Sequence, residues 1–260
     1  MDRSSRTARG RTGWVLVLTA LLLAGVVTMA VTANSWKHDF RVLRVRTRGN
    51  TIVADSDIVR MAAIVNNGKL FEVDLNRARL RVQQNPFMKS VTVAREIPDG
   101  IAITVTERRP IAALILDRIL FLDAEGYVLP PLRSGHVFDL PVLTGEFPAA
   151  DCIPGQRIRT RRLMEALEIL TTAESIGDDL YHMISEVHCA GDSTYVLFTA
   201  ESGVPVMFGR GDIAVKLVKF DGFWNQFVTQ RGAAQLKTVD LRFADQVVVR
   251  WDEGHGSAAQ

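Results

Sequence analysis

The stretch from Trp14 to Ala33 constrains this chain more than any other, because it runs for twenty residues without a charged side chain. As a helix rising about 1.5 Å per residue it covers about 30 Å, the hydrocarbon thickness of a bilayer. No water is available at that depth, so the backbone must satisfy its own hydrogen bonds, and a helix does so within one segment. Arg3, Arg6, Arg9 and Arg11 precede it against a single acid, Asp2. That asymmetry holds a short tail in the cytoplasm and sends the remaining chain across. The small residues Val31-Thr32-Ala33 would also suit signal-peptide cleavage, but the apolar region of a signal usually runs about 7–15 residues. The length favours a retained single-pass anchor over residues 14–33, with residues 1–13 cytoplasmic. On either reading the chain from residue 34 onward lies outside the cytoplasm.

Charge follows the same division. The formal net charge of +2 separates into +3 over residues 1–13 and −1 over the remainder, which carries 27 basic and 28 acidic residues. The basic pI of 8.7 therefore comes from the tail. A nucleic-acid partner calls for a basic stripe, and the balance of the exported part does not point to one. Two cysteines, Cys152 and Cys189, both lie on the exported side. An oxidising compartment permits a bridge between them, two separate buried thiols are equally compatible, and their spacing fits no metal motif.

Asn34 to Asp39 reads as a polar linker, and Phe40 to Arg48 as a strand ended by Gly49-Asn50. Asp55 or Ser56 can cap a helix that places Ile58, Met61, Ala62 and Val65 at i, i+3, i+4 and i+7, with Asn66-Asn67-Gly68 as its stop. Asp74 is a fair cap for a second helix, with Leu75, Ala78 and Val82 on one side. Asn85-Pro86 ends it, since the residue before proline is pushed out of the α region. Two strands then alternate around Val91 and Val93 and around Ile101, Ile103 and Val105, joined by a turn at Ile97-Pro98-Asp99-Gly100. Strand, helix, helix, strand, strand in about 70 residues describes a small two-layer unit with both helices on one face of a three-stranded sheet.

The strings Asn85-Pro86-Phe87-Met88-Lys89-Ser90-Val91, Arg95-Glu96-Ile97-Pro98-Asp99-Gly100 and Val105-Thr106-Glu107-Arg108-Arg109-Pro110-Ile111-Ala112, in this order after an anchor, resemble a POTRA domain. More narrowly they resemble that of the bacterial division proteins FtsQ/DivIB. The step Asp123-Ala124-Glu125-Gly126-Tyr127-Val128 and the later Gly209-Arg210-Gly211-Asp212 followed by Lys216-Leu217 are similar to the same family. The resemblance covers the chain from the anchor to about Trp251. The expected fold is α+β: a single N-terminal transmembrane helix, a β-α-α-β-β POTRA domain over residues 34–110, and a mostly antiparallel β-rich domain with two helices over 111–253. Residues 254–260 read as a flexible tail. In the second domain, strands are expected at Ile111–Leu116, Ile119–Leu122, Tyr127–Leu129, Ile184–His188, Thr194–Thr199 and Pro205–Phe208. The proline-marked segment from Pro130 to Pro154 reads as irregular. One helix is expected from about Thr160 to Ala173 with Leu163, Leu167 and Leu170 in a stripe. Another begins after Asp212, with Ile213, Leu217, Phe220, Trp224 and Phe227 as a core face.

Catalytic motifs are missing from the sequence: no nucleophile elbow, phosphate loop or zinc-binding His-Glu-x-x-His occurs. His182 and His188 have no obvious third ligand for zinc, Asp178-Asp179 reads as solvated loop acid, and Ser193 has no assignable base. Arg210-Gly211-Asp212 spells an adhesion tripeptide, but a helix N-cap by Asp212 explains it better. The chain is read as a non-enzyme with no cofactor, metal or small-molecule substrate.

The information-bearing segment is the last hairpin. Val239, Leu241 and Phe243 alternate with Asp240 and Arg242, and Val247, Val249 and Trp251 follow on the return strand. In the family a matching segment forms the carboxy-terminal edge of the sheet. The resemblance implies that this edge recruits partners by strand addition, the unpaired N–H and C=O groups of an edge being able to accept another chain. On that reading Phe243 is the aromatic anchor, Arg242 meets a carboxylate and Trp251 covers the rim. The resemblance further implies a divisome scaffold in the bacterial inner membrane at the septum. It would link early and late division proteins, binding FtsB and FtsL and, more loosely, FtsW and FtsI. The competing readings are a POTRA-containing export or envelope-assembly factor, which would need a barrel, and an anchored cell-wall hydrolase, which would need a nucleophile or metal.

Overall fold

The computed structural model describes residues 7–131, 138–191 and 194–252; within its first helix, side chains are described for Trp14 and for Leu16–Thr32. The residues before Thr7 and the expected tail at 254–260 lie outside the described residues, as does Ser193. Two compact units emerge: the described chain through Gln83 together with Ser90–Thr106, and Gln84–Lys89 together with Glu107 onward.

Helix α1 runs from Thr7 to Asp39 and so absorbs the expected linker at 34–39. Among the described side chains it carries no polar stripe: Leu16, Val17, Leu18, Val26 and Leu23 are distributed around the whole axis and are all more than half exposed. The hydroxyls of Thr19, Thr28 and Thr32 donate back to carbonyls three or four residues earlier, so the helix presents few unsatisfied donors. Among the described residues no helix is long and apolar enough to cross a membrane.

The rest of the first unit holds β1 (Arg44–Arg48), α2 (Asp55–Ala62), a 3-10 turn (Leu70–Glu72), α3 (Leu75–Gln83), β2 (Met88–Glu96) and β3 (Gly100–Glu107). The sheet order is β1-β3-β2, with β1 parallel to β3. Ile58, Ala62, Ala78 and Val82 of the helices are buried, as are Val91, Ile101, Ile103 and Val105 of the sheet. Asp74 caps α3 as expected, accepting the Arg77 amide at 2.9 Å. The cap of α2 differs. Asp55 is already inside the helix, and its carboxylate instead accepts from Thr47 Oγ1 and Asn50 Nδ2, both at 2.6 Å. That helix also ends early, with Ala63 left-handed, so Val65 falls outside it and stands exposed. Gly49 is required where it stands: its φ is +85°, and a Cβ there would sit 2.2 Å from the Val105 carbonyl oxygen.

The second unit is a nine-stranded sheet. It contains β4 (Pro110–Ile115), β5 (Ile119–Asp123), β6 (Val128–Leu129), β7 (Val142–Gly145), β8 (Ile184–Cys189), β9 (Tyr195–Thr199), β10 (Pro205–Gly209), β11 (Leu236–Asp240) and β12 (Val248–Trp251). The order is β12-β11-β10-β9-β8-β7-β4-β5-β6. Most pairs are antiparallel, but β4 with β7, β7 with β8 and β10 with β11 run parallel. Strand β7 corrects the reading of Pro130 to Pro154 as wholly irregular. The helices are α4 (Arg161–Ile176), the short α5 (Asp178–Met183) and α6 (Ile213–Phe223), which continues through a π turn (Trp224–Val228) into α7 (Thr229–Arg231). The expected pair of helices therefore misses α5, whose first turn holds Asp178 and Asp179; acids there complement the helix dipole. Leu163, Ala166, Leu167 and Leu170 of α4 and Leu217, Phe220 and Trp224 of the last helix form one core with Leu114, Val187, Leu197, Val206, Phe208 and Val239. Cys152 and Cys189 are free buried thiols.

Candidate partner-docking edge

Sheet order decides which strand can receive a visitor. Strand β11 is interior, lying parallel to β10 on one side (Val206 opposite Val239) and antiparallel to β12 on the other (Val239 opposite Val249, Asp240 opposite Val248). Strand β12 has β11 as its one neighbour, so among the described residues its far side is an unpaired edge. Of the hairpin expected to form the edge, only the return strand does so.

The side chains singled out in the hairpin accordingly separate into four groups. Val239 and Leu241 are core residues, at 0% and 2% exposure, and a partner cannot touch them. Asp240 and Arg242 satisfy each other: Nε of Arg242 donates to both carboxylate oxygens at 2.9 and 3.1 Å, and a terminal nitrogen adds a bond of 2.6 Å. That hydrogen bonding holds the Asp240 carboxyl below the usual carboxylate range against the opposing effect of burial. Phe243 lies beyond the end of β11 and is half exposed. Val247, Val249 and Trp251 are partly buried against the core, while Val248 and Arg250 between them face outward.

Beside β12 runs a groove of about 520 Å³, bounded by the last helix and lined by Phe223, Phe227, Val247, Val249 and Trp251, with Lys219, Arg231 and Asp245 as charged members. The π turn makes this groove. An i→i+5 bond, here from the Thr229 amide to the Trp224 carbonyl, adds a residue to the turn. Val228 then returns to the core at 1% exposure, and Phe227, expected inside, is turned out to 56%. Phe227 stacks on Phe223 with ring centroids 5.8 Å apart. The Arg231 guanidinium stands 5.1 Å from the Trp251 ring centroid, a cation–π contact that leaves its charge at the groove. The sequence pattern does not mark Phe223, Phe227, Arg231 or Val248 as candidates; the apolar stripe contains Phe227, but regular spacing assigns it to the core.

The start of the last helix also departs from expectation. Asp212 sits at the N-cap position with φ +50° and no side-chain cap bond. The anchor is Lys216, whose ammonium donates to the carbonyls of Phe208 (3.0 Å) and Arg210 (2.7 Å), its pKa lowered by burial. No group of three or more metal-ligating side chains occurs among the described residues. His188 Nδ1 lies 2.8 Å from Thr144 Oγ1, and His182 lies on α5.

A β-α-α-β-β unit followed by a large, mostly antiparallel sheet with helices packed on it defines an α+β class of protein. Comparison with known proteins gives that class a family. Residues 40–108 match the FtsQ-type POTRA domain, and residues 109–249 match the FtsQ/DivIB C-terminal related domain. The chain is 33% identical over 263 residues to a protein of Rhodothermus marinus named cell division protein FtsQ, covering 97% of this chain and 93% of that one. Proteins of the same name from Geotalea daltonii (28% over 211 residues, 81% and 76% covered) and Salinibacter ruber (27% over 263 residues, 96% and 98% covered) are also similar. The chain belongs to the FtsQ/DivIB family of cell-division proteins, whose members are non-enzymatic scaffolds. Its function lies in the protein–protein interactions of the divisome.

Proposed function

We propose that the chain is a single-pass inner-membrane protein, N-terminus in the cytoplasm, that gathers division proteins at the septum through two modules, residues 34–110 for recruitment and 111–253 for partner capture. Helix α1 supports the anchor: it is apolar on every side, its described side chains are exposed, and a helix of that kind finds its burial in lipid or in a large core. The partner we assign to the β domain is an extended segment of FtsB, held with FtsL and, further out, FtsW and FtsI.

The observation that carries this reading is the unpaired edge of β12 beside an apolar groove. An added strand gains main-chain hydrogen bonds along the edge and places alternate side chains over Val249 and Trp251 or toward solvent. The experiment is a chain ended after Asp245, which removes β12 and leaves β11 paired with β10. Expected are loss of FtsB binding in a pull-down and retained septal localisation of a fluorescent fusion. Undiminished FtsB binding by the folded truncation refutes capture at this edge.

A further inference from the structure

The near-neutral exported region conceals a division of charge. Residues 40–108 carry twelve basic and seven acidic residues, net +5, whereas residues 109–249 carry thirteen and eighteen, net −5. The positive module is the one joined directly to α1, which stays helical to Asp39. Six helical residues beyond Ala33 span about 9 Å, little more than the headgroup layer on one side of a bilayer, about 5–8 Å. The module is thus held against the lipid surface with almost no slack.

What it shows at that end is apolar as well as basic. The entering chain is clasped by two loops: the Val42 amide donates to Gly68 O and Leu70 N to Phe40 O on one side, and the Leu43 amide donates to Asp99 O on the other, each at 2.8 Å. These loops and the entering segment expose Leu43 (63%), Val65 (73%), Ile97 (69%) and, less, Phe71 (38%). Lys69, Arg41, Arg44 and Arg95 lie among them, against Glu72, Glu96 and Asp99. All three acids are already matched, Glu72 by Lys69 at 2.7 Å, Glu96 by Arg48 at 3.0 Å and Asp99 by Arg44 at 2.5 Å. Arg41 and Arg95 are placed on backbone carbonyls, and neither has a carboxylate partner among the described residues.

Resting on the reading of α1 as a membrane anchor, we propose that this rim is a second membrane contact: Val65 and Ile97 enter the headgroup layer of the outer leaflet while Arg41, Arg95 and their neighbours engage lipid phosphates. Short apolar tips ringed by basic side chains bind an interface by this combination, and the basic part strengthens with anionic lipid. The contact fixes how the module stands on the membrane, and so which of its faces recruitment partners can reach.

The test uses the full chain in nanodiscs with an environment-sensitive fluorophore on single introduced cysteines, V65C, I97C, L22C and V248C; the native thiols are buried. The quenchers are lipid spin-labelled near the headgroup and lipid spin-labelled along the acyl chain, the second reaching position 22 at mid-span. Quenching at positions 65 and 97 by the first should reach at least half of that at position 22 by the second, with position 248 unquenched, and should weaken when phosphatidylglycerol is replaced by phosphatidylcholine. Positions 65 and 97 as unquenched as 248, with 22 quenched, overturns the rim contact and leaves the anchor standing. Position 22 unquenched overturns the anchor itself. Equal quenching in the two lipids overturns the role given to the basic residues.

Discussion

Substitution at two adjacent residues, Phe227 and Val228, separates partner capture from folding. A regular helix continuing the stripe of Leu217, Phe220 and Trp224 would admit Phe227 to the core; the π turn admits Val228 and turns Phe227 into the groove. Fully burying a large apolar side chain is worth about 1.5–3 kcal/mol. Phe227 is 56% exposed in the free chain, so a partner that covers the remainder gains about 1–1.5 kcal/mol from it, close to tenfold in Kd. Phe227→Ala should weaken FtsB binding by about that factor, measured by titration calorimetry on the full chain in nanodiscs, and barely move the thermal midpoint. Val228→Ala should do the reverse. It deletes buried methyls and leaves a small cavity, a loss of about 2 kcal/mol, which lowers Tm by about 4–8 °C in a domain of this size. Unchanged affinity in Phe227→Ala removes the groove from the docking surface. A large fall in Tm for Phe227→Ala with none for Val228→Ala would mean that the widened turn is wrong.

Gly49→Ala should destabilise the first unit by about 3 kcal/mol or more, since left-handed strain of about 1 kcal/mol is joined by a clash with the Val105 carbonyl; Gly203→Ala, with φ +59° and nothing within 4 Å, should cost about 1 kcal/mol. Urea titrations of both compare them, and equal losses would contradict the steric account. Burial pushes the Cys189 thiol up to about 11 and raises that of Cys152, so iodoacetamide at pH 8 should label neither until denaturant is added. Rapid labelling of the native protein would show the thiols to be accessible. The lowered Asp240 pKa contributes stability that is present above the unfolded value of about 3.9 and lost as pH falls through the lower folded value. The stability gap between the wild type and Arg242→Ala should therefore close on acidification below pH 4, and a gap unchanged down to pH 2 would rule out the linkage.

What could be read in the sequence and what could not follow from how far each signal reaches along the chain. The hairpin around Asp99-Gly100, the Asp74 cap and the α4 stripe are decided by residues a few positions apart, and local periodicity finds them. Strand β7 is not of that kind. Its four residues sit among prolines, and it is a strand because β4 and β8 receive it from either side in parallel register, partners about 30 and 45 positions away. The edge is harder still, because Val239-Asp240-Leu241-Arg242 and Val247-Val248-Val249-Arg250-Trp251 both read as strands. Only the order of the sheet shows that the first is enclosed by β10 and β12. The alternating pattern selects Phe243, which lies past the strand, whereas Phe227 reaches the groove through a one-residue change in helix pitch that no spacing rule marks. A docking surface made of one edge strand and one turned-out aromatic depends on long-range pairing and local helix geometry together. Substitutions on β12 alone and on the last helix alone should each lower affinity, and their combination should depart from additivity, as residues sharing one partner contact do.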